Sequence, residues 1–510
     1  MGDPASVDVR GAQAPRDLVV VSDLHLGRGF KPSTRRYHRL ETFFYDDDFR
    51  SFCRWLCREA ADRGAPFALV MDGDVFDLLR IEPDPVPGAR GVERRFGPPM
   101  TAALAARLVA DILAGHPVFT EALADVLEAG HEVVLLPGNH DAELQWPPVQ
   151  DEVRRAVAER LAARGAGGGA AERLRFAPWF HHEPGRIWIE HGCQYDPENA
   201  FRYHLRSGLP ASPEAETVVE RDMPFGNFFQ KYLYNAFGSI NFIVPSSRAN
   251  YRYFRFLLAN RPRLLLAVTR SHGPFLVELL RRLARAPVTG WQREAERIHA
   301  AELAELGARS GLGEKLAAVD ALKSVGADAV RAASGIVRQA TKIAAGVALV
   351  AFVAMAIWAA TWRAVDALMV GFGWKALLSL ALYLVFGAVG LAALVATAMR
   401  VPRDEPPRPL RAVAERIAGL LDVPLVVFGH THDEVASPIS GAGGKPAWYF
   451  NTGTWIAVFT DDVLVPRERV QYTFLRVRGA DAELLQWSPG RGCAMPVVLL
   501  EESRREEAIG

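Results

Sequence analysis

Five short apolar runs, LVVVS, FALVM, EVVLLP, RIWIE and PLVVF, stand out along the chain, with longer amphipathic stretches among them. Runs this short, rich in β-branched residues and closed by Gly, Pro or acidic residues, predict buried strands. The stretches FFYDDDFRSFCRWLCREAADRG, TAALAARLVADILAG and DEVRRAVAERLAAR carry apolar residues at helical spacing. Their alternation with the runs predicts an α/β domain. GAGGGA, around residues 164–171, reads as a flexible surface loop. Beyond Trp455 the pattern turns to β, in RVQYTFLRVRG and AELLQWS.

The pattern breaks between about residues 206 and 404. An aromatic-rich segment, FGNFFQKYLYNAFGSINFIVPSSRANYRYFRFLLANRPR, leads into amphipathic helices such as WQREAERIHAAELAELGAR. Two uncharged runs follow, IAAGVALVAFVAMAIWAATW (343–362) and ALLSLALYLVFGAVGLAALVATAM (376–399). As helices each measures roughly 30 Å or more, enough to cross a bilayer's hydrocarbon core. Both are apolar all round, which favours a membrane hairpin over a buried soluble one. Trp362 and Trp374 flank the connector as membrane-interface residues do. Arg331, Arg338 and Lys342 before the first run and Arg400 and Arg403 after the second favour a cytoplasmic location for both ends, against Arg363 and Lys375 in the connector. The expected organisation is a disordered 1–14, an α/β domain in two parts (15–205 and 405–490), the helical insertion 206–404 and a tail 491–510.

Composition narrows the reading. The 510 residues suffice for several domains, and Lys plus Arg equals Asp plus Glu at 59 each. No global basic excess argues for nucleic acid as a partner. Four cysteines are too few for a disulfide framework, and Cys53 and Cys57, one helical turn apart, read as packed thiols. Cys193 reads as structural, and the N-terminus has no apolar core of a secretory signal.

Each apolar run ends in residues that can bind metal. LVVVSDLHLG supplies Asp23 and His25, and FALVMDGDVFD supplies Asp74 with Asp72 and Asp77 beside it. EVVLLPGNHD supplies Asn139, His140 and Asp141, RIWIEHG supplies His191, and PLVVFGHTHDE supplies His430 and His432. Singly each has a bland reading: a helix cap, a turn, a core histidine, a chance His-x-His pair. Five strand ends bearing such residues together form a constellation, since ligands of α/β folds collect beyond the carboxyl ends of strands.

In this order, D-x-H, G-D, G-N-H-D, H-G and G-H-T-H resemble the calcineurin-like metallophosphoesterase superfamily, over roughly residues 15–205 and 405–475. The resemblance implies a two-sheet sandwich flanked by helices and a pair of divalent cations (Mn, Fe or Zn). It implies that Asp23, His25, Asp74 and His432 hold one ion, and that Asp74 as bridge, Asn139, His191 and His430 hold the other. His140 would be the non-ligand acid acting on the phosphoryl or leaving oxygen, and Asp77 and Asp141 would orient the ligands. Independently, mixed imidazole, carboxylate and amide donors suit those metals. His191 and His430 belong to one centre on this reading, so an insertion crossing a membrane must cross it an even number of times. Two candidate spans satisfy that parity.

The insertion's position resembles that of the helical lid in UDP-2,3-diacylglucosamine pyrophosphatases, which usually carry Arg where this chain has His140 and have a much shorter lid without spans. The aromatic segment from Phe225 to Phe256 fits either acyl-chain shelter or a collar at the membrane interface. Lys231, Arg252 and Arg255 within it are candidate substrate contacts. The expected function is a membrane-anchored phosphohydrolase acting on a phosphorylated small-molecule, nucleotide or lipid-linked substrate, in the cytoplasmic membrane with its catalytic domain facing the cytoplasm. The alternatives are a phosphatase or phosphodiesterase for soluble or protein substrates, with the hairpin only an anchor, and a non-catalytic membrane scaffold.

Overall fold

The computed structural model describes residues 16–82, 88–98, 100–205, 223–237, 261–285, 289–326, 345–346, 348–349, 352–353, 355–398, 410–458 and 470–497. In chain order its strands are β1 Asp17–Val21, β2 Phe30–Lys31, β3 Arg36–Tyr37, β4 Phe67–Asp72, β5 Glu132–Leu136, β6 Leu174–Phe176, β7 Phe180–Glu183 and β8 Ile187–Glu190. After the insertion come β9 Leu425–Phe428, β10 Glu434–Ser440, β11 Pro446–Thr452, β12 Thr473–Arg478, β13 Asp481–Ser488 and β14 Cys493–Pro496. All five apolar runs are strands: β1, β4, β5, β8 and β9.

Two mixed sheets result. The larger has the order β14-β13-β12-β1-β4-β5-β6, the smaller β10-β11-β9-β8-β7, and β2 and β3 form a separate hairpin. β1, β4, β5 and β6 run parallel, as do β8, β9 and β11, while the remaining pairs are antiparallel.

The apolar runs are continuous because their strands are covered on both faces. Leu18, Val20, Val70 and Val134 of the large sheet pack in one cluster with Ile187, Ile189, Leu425 and Val427 of the small one. The alternate residues Val19, Val21, Leu69, Met71, Val133 and Leu135 face the helices instead. There they meet Phe49 and Phe52 of helix Asp46–Arg63, Ile112 of Ala102–Gly115, Leu123 of Pro117–Glu128 and Val153 of Pro147–Ala163. On the outer face of the small sheet, Trp188, Val426 and Phe428 pack with Leu316 and Val319 of helix Glu314–Asp320 and Ile417 of helix Leu410–Leu421. The protein is thus α/β, with two mixed sheets flanked by helices.

Several local expectations change. The glycines of GAGGGA lie exposed at the surface as expected, but Gly168–Arg173 forms a 3-10 turn whose Ala170 is buried in the helix-side core. Within the expected tail, Cys493–Pro496 adds the edge strand β14. Cys53 is buried and Cys57 half-buried, and burial pushes both thiols up, Cys57 to about 12, so they are packed rather than reactive.

The chain divides into two compact units, residues 1–328 with 407–510 and residues 329–406. The described residues 223–326 of the expected insertion therefore belong to the first unit. In the second, helix Phe372–Ala398 covers the run 376–399 up to residue 398, the last one described, whereas the run 343–362 lies only partly within the described residues. Among the described residues no single helix is long and apolar enough to cross a membrane; Phe372–Ala388 is a shorter apolar stretch. One bent pair, Ala102–Gly115 with Pro117–Glu128, passes by composition. Its apolar side chains are buried in the core beneath the large sheet, which explains the composition. Lys375 Nζ lies 3.4 Å from an Asp366 carboxylate oxygen, so the connector's charges are partly paired. The segments flanking the hairpin, with Arg331, Arg338, Lys342, Arg400 and Arg403, lie outside the described residues, as does the N-terminal stretch 1–14.

Candidate metal centre

The loops leaving β1, β4, β5, β8 and β9 converge at the carboxyl ends of the parallel strands. Asp23, His25, Asp74, His430 and His432 all have positive φ, between 51° and 71°. They account for five of the eight non-glycine residues in that region among the described residues. Backbone of this kind costs energy and persists only where surrounding contacts enforce it. Those contacts are visible: Asp23 and His25 donate their N–H groups to the carbonyls of Gly73 and Asp74, binding the first loop to the second.

Glycine is needed where ligands press against backbone. A Cβ on Gly138 would lie 2.1 Å from Asp74 Oδ1, and one on Gly73 2.5 Å from His191 Nδ1. The glycines of G-D and G-N-H-D are thus packing requirements of the ligands themselves.

Two sets of three buried donors form the centre, Asp23/His25/His432 and Asp23/Asp74/His191, with the ligand atoms of each set within 4.8 Å of one another. Asp74 Oδ2 lies 3.3 Å from His191 Nε2 and 3.7 Å from His25 Nε2, between the sets. Asp23 Oδ1 is equally central, 3.3 Å from His432 Nε2, 3.7 Å from His25 Nε2 and 4.0 Å from His191 Nε2.

The remaining atoms of these side chains are spoken for, which aims the others. His191 donates Nδ1–H to the Asp72 carbonyl at 2.8 Å, leaving the Nε2 lone pair toward Asp74. His25 Nδ1 is paired with Asp77 Oδ2 at 3.2 Å, and its Nε2 lies 3.0 Å from His432 Nε2. His430 places Nε2 3.0 Å from an Asp196 carboxylate oxygen, so Nδ1 carries its available lone pair. Asn139 donates its amide to Asn227 Oδ1 at 3.1 Å while Asn227 donates to the Asn139 carbonyl at 2.7 Å.

Among the buried side-chain atoms without a hydrogen-bond partner are three on candidate ligands, Asp23 Oδ1, Asn139 Oδ1 and His191 Nε2. Unpaired buried polar atoms are costly and rare. Three of them on candidate ligands, each on a side chain oriented by a contact elsewhere, fit cation donors. This is the test the residues pass.

The electrostatics agree. Burial alone would push the Asp23 and Asp74 carboxyls up, but His191 and its histidine neighbours hold both well below the usual range. Burial pushes His25 down, yet the Asp23 and Asp77 carboxylates beside it carry it up to about 9. His191 is likewise raised by Asp74 and Asp23. The cluster is an anionic cage that draws positive charge, and divalent cations displace such protons on binding. Burial lowers His432, against the pull of the Asp23 carboxylate.

His140 stands beside the ligand sets. Its Nδ1 pairs with Asp77 Oδ1 at 2.9 Å, its ring meets His25 edge-on at 4.7 Å, and its side chain is 14% exposed. Asp77 thus orients two histidines at once and is itself 3.2 Å from Arg80 Nε. Asp141 ties the third loop to the second, accepting N–H groups from Gly138, Asp74, Val75 and Phe76. Burial and the Asp74 charge push its carboxyl up to about 7 against those donors.

The structure therefore gathers Asp23, His25, Asp74, Asp77, Asn139, His140, Asp141, His191, His430 and His432. Lys231 lies one turn beyond Asn227 on helix Phe225–Tyr232, and Arg252 and Arg255 lie outside the described residues. Sequence reasoning missed Asp196 and Asn227. Asp196 follows His191 by five positions in HGCQYD, and Asn227 is one of several amides among the aromatics, a signal readable only once Asn139 is placed.

A further cluster, His204, His299 and Asp320, also brings possible ligand atoms together. Lys323 Nζ already supplies positive charge there, 2.9 Å from Asp320 and 3.2 Å from His299. It reads as a buried ion network.

No known protein family and no curated relative matches the chain. The geometry defines an α/β protein with adjacent buried His/Asp groups that could hold metal ions.

Proposed function

We propose that the chain is a dinuclear-metal phosphohydrolase of the calcineurin-like kind, cleaving phosphoester or pyrophosphate bonds. The observation that carries this reading is the trio of unpartnered buried donor atoms on Asp23, Asn139 and His191, at the carboxyl ends of β1, β5 and β8 in the two sheets. Asp23, His25, Asp74 and His432 would hold one cation, and Asp74, Asn139, His191 and His430 the other. Bound there, a pair of Mn, Fe or Zn ions would supply the charge that polarises a phosphoryl group and acidifies water. The chain's own part is to place and to protonate. Asp77 and Asp196 fix the rings of His25, His140 and His430, and Asn227 fixes Asn139. His140, the most exposed of these rings, donates a hydrogen bond or proton to the phosphoryl or leaving oxygen through Nε2 when it carries both protons.

We further propose that residues 343–399 anchor the protein in the cytoplasmic membrane, with the catalytic unit on the cytoplasmic side. Large apolar side chains are unusually bare in this unit: Met369 is 102% exposed, Phe372 87% and Trp374 71%. An apolar surface of this kind calls for lipid or a partner. The meeting of Asp196 with His430 also requires the intervening chain to return to the side it left.

The test is direct. Purified in detergent, the full chain should carry two divalent ions per chain by elemental analysis and hydrolyse p-nitrophenyl phosphate or its diester with Mn²⁺. Two bound ions with no turnover of any phosphoester would leave only the scaffold reading.

A further inference from the structure

Beside the metal centre opens a second feature that the reading above does not use. A cavity of about 490 Å³ is lined by Arg28, Arg39, Arg94, Arg95 and Lys231, against only Glu82 and Glu93. Some of this charge is internally compensated. Arg39 pairs with Glu82, and Arg28 lies 3.0 Å from Asp111, outside the cavity lining. Arg95 donates to His272 at 2.8 Å, and burial together with Arg95 keeps that imidazole low and neutral. Burial likewise lowers His38 at the same wall. Lys231 lies over the Tyr232 ring at 5.2 Å, and the carboxyl that feels its charge, Glu143, lies outside the cavity lining. Arg94, Arg95 and Lys231 thus face one cavity with Glu93 as the remaining acid.

Several walls continue elements of the metal centre, while Arg94 and Arg95 come from helix Gly91–Phe96 and His272 from helix Pro262–Arg285. Arg28 is three residues past His25 in the first loop. Ile81 and Glu82 follow Arg80, which is held by Asp77. Lys231 lies one helical turn from Asn227, so about 6 Å of axial rise separates the cavity from the residue that clamps Asn139. Asn235, also in the lining, donates to the Leu79 carbonyl at 2.8 Å and closes the floor onto the same loop.

A buried anionic metal cage gives no reason for a cationic basin at its edge, and unpaired cations held close together repel. A bound dianion offsets that repulsion. Arg in particular offers a planar fork that matches phosphate oxygens. We propose that this cavity holds a second phosphoryl group of the substrate, so that the substrate class is a phosphoester or anhydride bearing another phosphate within one helical turn's reach of the scissile one. This rests on the phosphohydrolase reading and narrows it.

The probe is a matched pair, adenosine 3′,5′-bisphosphate against AMP, compared on the Mn²⁺-loaded full chain in detergent. A second arm compares phosphatidylinositol 4-phosphate with phosphatidylinositol in mixed micelles and separates a lipid headgroup from a soluble source. The expected result is a preference of about tenfold or more for the bisphosphorylated member of at least one pair, carried by KM. In an Arg94→Ala/Lys231→Ala double variant the preference should fall to near parity, and Lys231→Arg should retain it. Wild-type parity in both pairs, or a preference indifferent to the double variant, overturns the proposal. Calorimetric binding of the same pairs separates the two readings. A binding preference abolished in the double variant, without turnover of any compound, sinks the hydrolase and keeps the cavity; turnover without preference does the reverse.

Discussion

His430 and Asp196 meet at 3.0 Å although 234 positions separate them in the chain. The contact fixes which imidazole nitrogen is free, and it is made by a carboxylate that no motif announced. Groups that orient a metal-binding histidine commonly matter ten- to hundredfold for affinity. Asp196→Ala should therefore weaken retention of one of two bound ions by about that factor, leaving the other in place. Chelator competition followed by elemental analysis reads this, and unchanged retention of both ions would remove Asp196 from the centre.

His140 differs from its neighbours in role. His140→Ala should lower kcat by about a hundredfold or more while two ions remain bound. Parallel loss of metal would make His140 a ligand.

Gly138 can be tested through folding alone. With the Ala methyl 2.1 Å from Asp74 Oδ1, either the third loop or the carboxylate must move. Gly138→Ala should destabilise the protein by on the order of 3 kcal/mol and lower metal content. Denaturant melts and elemental analysis check both effects; a variant indistinguishable from wild type contradicts the packing described here.

The buried His116 gives a pH prediction independent of the metal centre. It lies 3.0 Å from Asp46 and 3.3 Å from Glu41, whose carboxylate also holds the N–H groups of Gly27, Thr42 and Phe43. Burial alone would lower His116, but these two acids carry it up to about 9. A raised histidine stabilises the fold fully below its ordinary pKa near 6.5, and that contribution fades as pH rises through 9. Glu41 runs the other way: burial raises it, His116 lowers it further, and its contribution is lost in acid. The pair is therefore strongest between the two. Roughly 3 kcal/mol of stability should disappear between pH 6.5 and about 9. His116→Gln should flatten that slope in chemical denaturation; an equal slope in both proteins would refute it.

Replacing residues 343–399 with a short polar linker should release the protein into the soluble fraction with metal-dependent hydrolysis retained, since the catalytic unit is compact by itself. A folded soluble variant inactive toward every substrate would show that the hairpin does more than anchor.

What the sequence made legible was the part governed by local rules. β1, β4, β5, β8 and β9 were readable because strands covered on both faces are written as unbroken apolar runs, and their ligands because each run ends abruptly in polar residues. The order of strands in the two sheets was not readable, since β12 beside β1 and β11 beside β9 depend on long-range pairing. The same holds for Asp196 and Asn227, which lie in stretches without periodicity and acquire meaning only when the chain closes. β14 was too short to rise above the tail's polar composition. Gly-rich GAGGGA promised mobility, but small residues also permit close approach, and Ala170 packs.

The register that sets Ile187 beside Leu425 has a bearing on synthesis. A ribosome must deliver the whole intervening segment before β9 can join β8. If residues 343–399 enter the bilayer as proposed, the nascent chain commits them there while the candidate metal pocket is still half built. On the proposed function, ion loading then follows the arrival of β9, and a translation product stopped short of His430 is expected to be inert.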